Sequence, residues 1–385
     1  MVCEMDHFPR YAEFFSGGGM VRAALGERWQ CALANDIDAM KCRVYRENWS
    51  GIALVEGDVA FLDPDLLKQP IDLYWASSPC QDFSLAGKGL GLDGQRSGVF
   101  NPWFEKVRAA VMAGFAPRII AFENVTGLMS RHEGKDLDRV LQAFISLGYN
   151  VGALEIDACY FVPQSRPRLF VIAVRRDVDV AELCQPQADG VFCSPRLVRF
   201  HASCGRVIRE HWLWFRMPAP VPLPWCLTSI LDPDPDTPWF SDEQVDSLLA
   251  MMSAPSLARV AAAKELGRTV VGTLYKRGRP DAAGRVRQRA EVRFDGIAGC
   301  LRTPAGGSSR QTILIVRGEE IEARLLSRLE VSRLMGLPSS YRMPARYNDA
   351  YRIAGDGVVV PIVRYLDEHL FQPILLKRPL EREVA

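Results

Sequence analysis

Residues 11–48 read YAEFFSGGGMVRAALGERWQCALANDIDAMKCRVYREN. Two apolar runs of strand length, YAEFF and QCALAND, are each followed by a segment of helical length, MVRAALGERW and AMKCRVYREN. Strand–helix alternation of this kind marks βαβ units, whose strands lie parallel in one sheet. The rhythm continues: IDLYWASS precedes NPWFEKVRAAVMAGF, RIIAFENV precedes KDLDRVLQAFISLGY, and VGALEI and RLFVIAVRR close the series near residue 175. The predicted fold class is α/β, a doubly wound and mainly parallel sheet.

From about residue 179 to 298 that rhythm disappears. The segment is rich in Pro and Trp, and only SDEQVDSLLAMMS and SLARVAAAKEL read as helices, which predicts a second, irregular lobe. Beyond it, GCLRTPAGGSSRQTILIV reads as a glycine-rich turn into a strand, and RLLSRLEVSRLMGLP and PIVRYLDEHLF read as helices.

A chain of 385 residues that is 48% hydrophobic can bury a large core. It contains no apolar run of the ~18 residues that a membrane helix needs, and no leader-like N-terminus. A cytoplasmic protein without a membrane partner is expected. The ten cysteines form no CxxC pair and read as reduced thiols. Cys193, His201 and Cys204 match no standard zinc spacing, so no metal is expected. The net charge is only +1, but YKRGRPDAAGRVRQRAEVR sets seven cations against two acids. Interleaved with turn residues and a tyrosine, that run is suited to phosphates.

In a doubly wound sheet, ligands sit beyond the carboxyl ends of the strands. The first predicted strand runs into Phe15, Ser16, Gly17, Gly18 and Gly19, whose backbone can approach a ligand at a helix start. Arg22 stands where a dinucleotide fingerprint has its third glycine, so the glycines alone are a weak signal. The second strand ends in Asn35-Asp36-Ile37-Asp38, with Asp36 suitably spaced to accept from ribose hydroxyls, and the third in Glu56-Gly57-Asp58. A nucleoside-type cofactor is the natural occupant.

The fourth strand delivers Ser78-Pro79-Cys80-Gln81. A thiol there, followed by a five-glycine loop carrying Lys88 and Arg96, can be held partly as thiolate and attack an electrophile. The other nine cysteines read as small buried hydrophobes. The fifth strand delivers Glu123, a candidate acid, and Gln164-Ser165-Arg166-Pro167-Arg168 brings two guanidinium groups on alternate positions. Either arginine could pair with Glu123 or fix a carbonyl or phosphate.

With these residues in order, the chain resembles the DNA (cytosine-5)-methyltransferase family from about residue 10 to 372, the middle lobe excepted. FFSGGG, PCQ, ENV and QSRPR carry the resemblance, and GCLRTPAGG, LSRLEVSRLMGLP and AGDGVVVP look like the family's closing blocks. The resemblance implies a Rossmann-like domain over 1–178 that binds S-adenosylmethionine, a target-recognition domain over 179–298, a hinge and support over 299–344, and a segment over 345–385 that returns to the catalytic domain. It implies Cys80 as the nucleophile on C6 of a flipped cytosine and Glu123 as the acid at N3. Arg168 would anchor the base carbonyl, and Arg166 would partner Glu123. Phe15, Ser16, Gly17, Gly19, Asp36, Ile37, Asp58, Pro79 and Val358 would line the cofactor, which leaves as S-adenosylhomocysteine. Ser84, Arg96, Arg277, Arg279, Arg287 and Arg289 would meet DNA.

Double-stranded DNA is the implied substrate and a monomer the implied state, with a cognate restriction endonuclease left open. One branch of the family methylates tRNA instead, the alternative kept here, although the long basic insert favours DNA. A nicotinamide-dependent oxidoreductase would explain the glycine loop and Asp36 but not Cys80, Glu123 and the paired arginines. Three departures stand out: Asp356 in place of the usual Asn, Ile37 where many relatives carry a large aromatic, and Glu13 for a shorter acid.

Overall fold

The computed structural model describes residues 8–50, 53–79, 99–221, 226–280, 284–303 and 310–377. The chain forms two compact units: Met1–Ile156 with Pro167–Ala219 and Ile362–Ala385, and Asp157–Arg166 with Pro220–Pro361. Segment 179–219 thus belongs to the first unit. No described helix is long and apolar enough to cross a membrane.

The first unit is built on strands β1 (Arg10–Phe14), β2 (Gln30–Asp36), β3 (Leu54–Glu56), β4 (Leu73–Ser77), β5 (Ile119–Val125), β6 (Tyr149–Asp157) and β7 (Pro167–Arg175). They form one sheet in the order β3-β2-β1-β4-β5-β7-β6. The pairs β1–β2, β1–β4, β2–β3 and β4–β5 are parallel, while β7 runs antiparallel to β5. The chain winds outward from β1 in one direction and resumes at β4 in the other, so a crevice opens between the carboxyl ends of β1 and β4. β1, β4 and β5 are buried along nearly their whole length, as expected for strands covered on both faces.

Helices α1 (Met20–Leu25), α2 (Ala39–Asn48), α3 (Phe100–Met112) and α4 (Lys135–Ser146) follow the strands as the sequence predicts. α3 and α4 set Phe100, Trp103, Val107, Leu137, Leu141 and Phe144 against the sheet. Trp103 stacks on Phe122 with centroids 5.9 Å apart. Side chains alternate along a strand, so anchoring Phe122 on that face turns Glu123 to the other.

The short pair β8 (Cys184–Gln185) and β9 (Trp214–Phe215), with helices α5 (Pro195–Ser203) and α6 (Arg206–Glu210), lies where irregular chain was expected. α5 begins with a Ser194 cap and Pro195 in its first turn, a start signal obscured by the surrounding prolines.

The second unit is also more regular than its composition suggests. β10 (Thr269–Pro280), β11 (Val286–Arg293), β12 (Thr312–Arg317) and β13 (Glu320–Leu325) form an antiparallel sheet in the order β11-β10-β12-β13. Helices α7 (Asp242–Ala250) and α8 (Ala254–Glu265) pack Val245, Leu248, Val260 and Ala263 on Leu274, Ala290, Val292 and Leu314. α9 (Arg328–Leu334) starts with a capping box in which Ser327 and Glu330 satisfy each other's backbone N–H groups. Glu330 also forms a buried two-bond pair with Arg324, at 2.6 and 2.7 Å. α10 (Tyr347–Asp356) precedes the GVVV segment.

Candidate active site

The loop after β1 follows a backbone path that few residues tolerate. Phe15, Gly17 and Gly19 all have φ between 56° and 75°. Glycine takes such angles freely, whereas Phe15 is held there at a cost. The loop is tied to the end of β2: Ser16 N donates to Asn35 O at 2.9 Å, and Gly17 N to Asp36 Oδ2 at 2.8 Å. A side chain at Gly19 would overlap the ring of Trp49, whereas the space beside Gly17 is open. Ser16 Oγ is buried and has no hydrogen-bond partner among the described residues.

Asp36 joins three strand ends. Its Oδ1 accepts from Asp38 N at 2.8 Å, while Asn35 Nδ2 reaches the carbonyls of Val55 and Gly57 at 3.0 and 2.9 Å. Asp38 caps α2, and Asp58 caps the short turn at Val59–Phe61. Each oxygen of Asp36 accepts one backbone N–H and retains a lone pair for another donor. Ile37, between the two aspartates, is 67% exposed, an uncovered apolar surface beside these polar groups.

Glu13 is a residue whose importance the sequence reading passed over. It is buried on β1, and Oε2 has no hydrogen-bond partner among the described residues. Burial holds its pKa well above the usual carboxylate range; the charge of Arg22 opposes this and that of Asp36 adds to it. The signal available in the sequence was an acid inside an otherwise apolar strand.

Beyond β4 the described chain continues through Ser78 and Pro79 and stops before Cys80. Cys80, Ser84 and Arg96 lie outside the described residues. Asn124 Nδ2 donates to Ser78 O at 3.3 Å, which ties the start of that segment to β5. Glu123 stands opposite Ser77 in the β4–β5 register and opposite Phe170 in the β5–β7 register. Arg168, diagonal to it on β7, brings Nε to 3.2 Å from Glu123 Oε1. Both side chains are largely buried, at 15% and 9% exposure.

The two arginines stand in different settings. Glu123 pairs with Arg168, the residue expected at the base carbonyl. Arg166 belongs to the second unit and precedes the first residue of β7, so strand alternation does not extend to it. It is 2% exposed, and its guanidinium donates to the carbonyls of Leu301, Gly355 and Gly357 at 2.6, 2.8 and 2.7 Å. Arg166 thereby fixes the AGDGVVV backbone. Gly355 has no room for a side chain, because a Cβ would lie 2.4 Å from Thr303 N. Asp356 takes a hydrogen bond from Thr303 Oγ1. Val358 is buried in the second unit.

Arg277, Arg279, Arg287 and Arg289 share one face of the β10–β11 hairpin. Cys42 and Cys204 fit the expectation of buried thiols, and burial pushes both up to about 12. Cys159 and Cys226 instead are exposed.

A profile of the C-5 cytosine-specific DNA methylase family matches residues 10–199 and 242–372. The type II methyltransferase M.HhaI of Haemophilus parahaemolyticus is 24% identical over 364 residues, covering 93% of this chain and 92% of that one. M.Eco47II of Escherichia coli is 35% identical over 169 residues, covering 43% and 39%. The chain spans less than half the length of the first curated relatives it matches. The S. pombe Dnmt2 methyltransferase has the same fold with a TM-score of 0.61 at 17% identity, covering 95% of this chain and 99% of that one. Entamoeba histolytica EhMeth superposes with a TM-score of 0.58 at 15% identity, covering 96% and 99%. With the family's blocks matched on both sides of the middle segment, the chain belongs to the C-5 cytosine-specific DNA methylase family.

Proposed function

We propose that this protein is a DNA (cytosine-5)-methyltransferase acting on a flipped cytosine in a specific double-stranded sequence. The observation that carries the reading is the buried Glu123, held by Arg168 level with the end of β4, immediately before the Pro79–Cys80 step.

Cytosine C5 is a poor nucleophile. In the proposed mechanism the Cys80 thiolate forms a bond to C6, and the C5–C6 π pair moves onto C5 and the ring. Glu123, carrying a proton, hydrogen-bonds N3 and so limits the negative charge that addition places there. Arg168 keeps that carboxyl in one rotamer and offers its remaining N–H groups to the base carbonyl. Once C5 carries the methyl group, loss of its proton to water returns an electron pair to the ring, and the C6–S bond breaks to release Cys80 as thiolate. The target carbon is inaccessible inside a duplex, which is why the base must leave the stack.

The residues at the ends of β1, β2 and β3 fit S-adenosylmethionine. The unpartnered Ser16 hydroxyl and the open space beside Gly17 would receive its methionine and ribose part. Asp36 retains acceptor capacity for ribose hydroxyls, Ile37 offers an apolar surface for adenine, and Asp58 would accept from its amine. Bound there, S-adenosylmethionine supplies an electrophilic methyl group for C5. Arg277, Arg279, Arg287 and Arg289, on a hairpin of the proposed target-recognition region, would meet the DNA.

The test is expression in a host without cytosine methylation, followed by nucleoside mass spectrometry and base-resolution mapping. The expected result is 5-methylcytosine in one short fixed DNA context, abolished by Cys80→Ala. Modified RNA with unmodified DNA would move the assignment to a tRNA methyltransferase, and modification surviving Cys80→Ala would overturn the nucleophile.

A further inference from the structure

The β10–β11 hairpin pairs Tyr275 with Glu291, Arg277 with Arg289 and Arg279 with Arg287. Directly opposed residues of an antiparallel pair share a face, as do residues two apart along a strand. One face therefore carries a Tyr–Glu rung followed by two rungs of arginine against arginine. The other face supplies Leu274, Ala290 and Val292 to the core beneath α7 and α8. Like charges placed directly opposite are unfavourable by themselves, so such a face is suited to an anionic partner.

Glu291 breaks the symmetry of that face. Its Oε2 accepts from Tyr275 Oη at 2.5 Å, and its Oε1 from Arg279 Nε at 2.9 Å, with Arg279 Nη2 also 2.9 Å away. Burial alone would push Glu291 up, but hydrogen bonds from Tyr275 and Arg279 and the charges of Arg277 and Arg279 outweigh it and hold the carboxyl below its usual range. It remains ionised at neutral pH. Arg277 instead lies over the Tyr275 ring, its guanidinium carbon 5.0 Å from the centroid, a contact without hydrogen-bond direction.

A carboxylate on the Nε–Nη2 edge of an arginine fixes the plane of the guanidinium and leaves its Nη1–Nη2 end to act as a two-donor fork. That fork matches guanine O6 and N7 in the major groove. Resting on the reading of this protein as a DNA methyltransferase, we propose that Arg279, positioned by Glu291 and Tyr275, reads the O6/N7 edge of a guanine in the recognition sequence. Arg277 and Arg289, lacking such a fixed fork, bind phosphates.

The test begins with the recognition sequence of the wild-type protein. Each guanine in it is then replaced singly by 7-deazaguanine, which lacks the N7 acceptor, and DNA binding is measured. Wild type should lose roughly tenfold at one guanine. Arg279→Lys, which retains the charge but not the fork, should show no further loss at that guanine. Glu291→Gln should shrink the penalty at the same position. Arg277→Ala should weaken binding to all sequences alike and reduce the salt slope by about 1. A penalty profile for Arg279→Lys identical to wild type would overturn the inference while leaving the methyltransferase reading intact. Wild-type protein with neither DNA methylation nor sequence preference would overturn that reading, and the inference with it.

Discussion

The β5–β7 rim and the β10–β11 hairpin both present arginines, and they treat them in opposite ways. On the rim, Arg168 is half of a largely buried ion pair with Glu123. On the hairpin, arginine faces arginine across two successive rungs, and Glu291 engages Arg279. The first arrangement is compensated within the protein and fixes a carboxyl group in place. The second gathers four guanidinium groups and one carboxylate on a single face. The rim carboxyl is thus held in place within the first unit, whereas on the hairpin Glu291 engages one arginine of a face that carries four.

The largest effect should separate the two regions outright. Glu123→Gln keeps size and polarity but removes the acid, and should lower kcat about 10²- to 10⁴-fold while DNA and cofactor affinity change little. Single-turnover methylation alongside equilibrium binding checks it. A loss confined to binding would mean that Glu123 belongs with the hairpin arginines as a grip.

Arg168→Ala should leave Glu123 buried without its partner, at a cost of about 3 kcal/mol in stability. Adding Glu123→Gln to that variant should restore most of the stability and none of the activity, since the stranded charge is gone and the acid with it. Denaturant unfolding of both variants decides this; an unchanged midpoint for Arg168→Ala would show that solvent already screens the pair.

Much of this contrast was legible in the sequence. The βαβ rhythm, the strand-end residues and the family blocks required only local patterns, and the sheet follows them. The different settings of Arg166 and Arg168 were not legible, because alternate spacing implies a shared face only inside a strand. β7 begins at Pro167, between the two arginines. Nor did the hairpin stand out: seven cations in nineteen residues mask a period of two whose inner face uses Leu274, Ala290 and Val292. Glu13 was treated as a neutral exchange of one acid for another, because its burial depends on neighbours distant in sequence.

Glu13 offers a subtler contrast with Glu291, one acid raised by burial and the other lowered by its partners. A carboxyl whose folded pKa is raised binds its proton more tightly in the native state, so stability is fully present below the unfolded value near 4.5 and declines as pH rises. Glu13→Gln has no charge to bury. Its melting temperature relative to wild type should therefore climb between pH 4 and pH 8, and a constant difference across that range would show that Glu13 is not a buried acid.

The smallest effect on stability should come from the hairpin, and its sign is diagnostic. Arg289→Ala removes one of two guanidinium groups placed directly opposite each other, so the free protein should hold its stability or gain a few tenths of a kcal/mol. The same change removes a cation that the proposed DNA complex uses, so the slope of log binding constant against log salt should flatten by about 1. A partly exposed arginine with an intramolecular role would give the reverse, a stability loss with an unchanged slope. Thermal melting and a salt titration on the same preparation distinguish them. Stability that falls together with an unchanged slope would place the hairpin arginines in the same class as Arg168 and remove the contrast between the two regions.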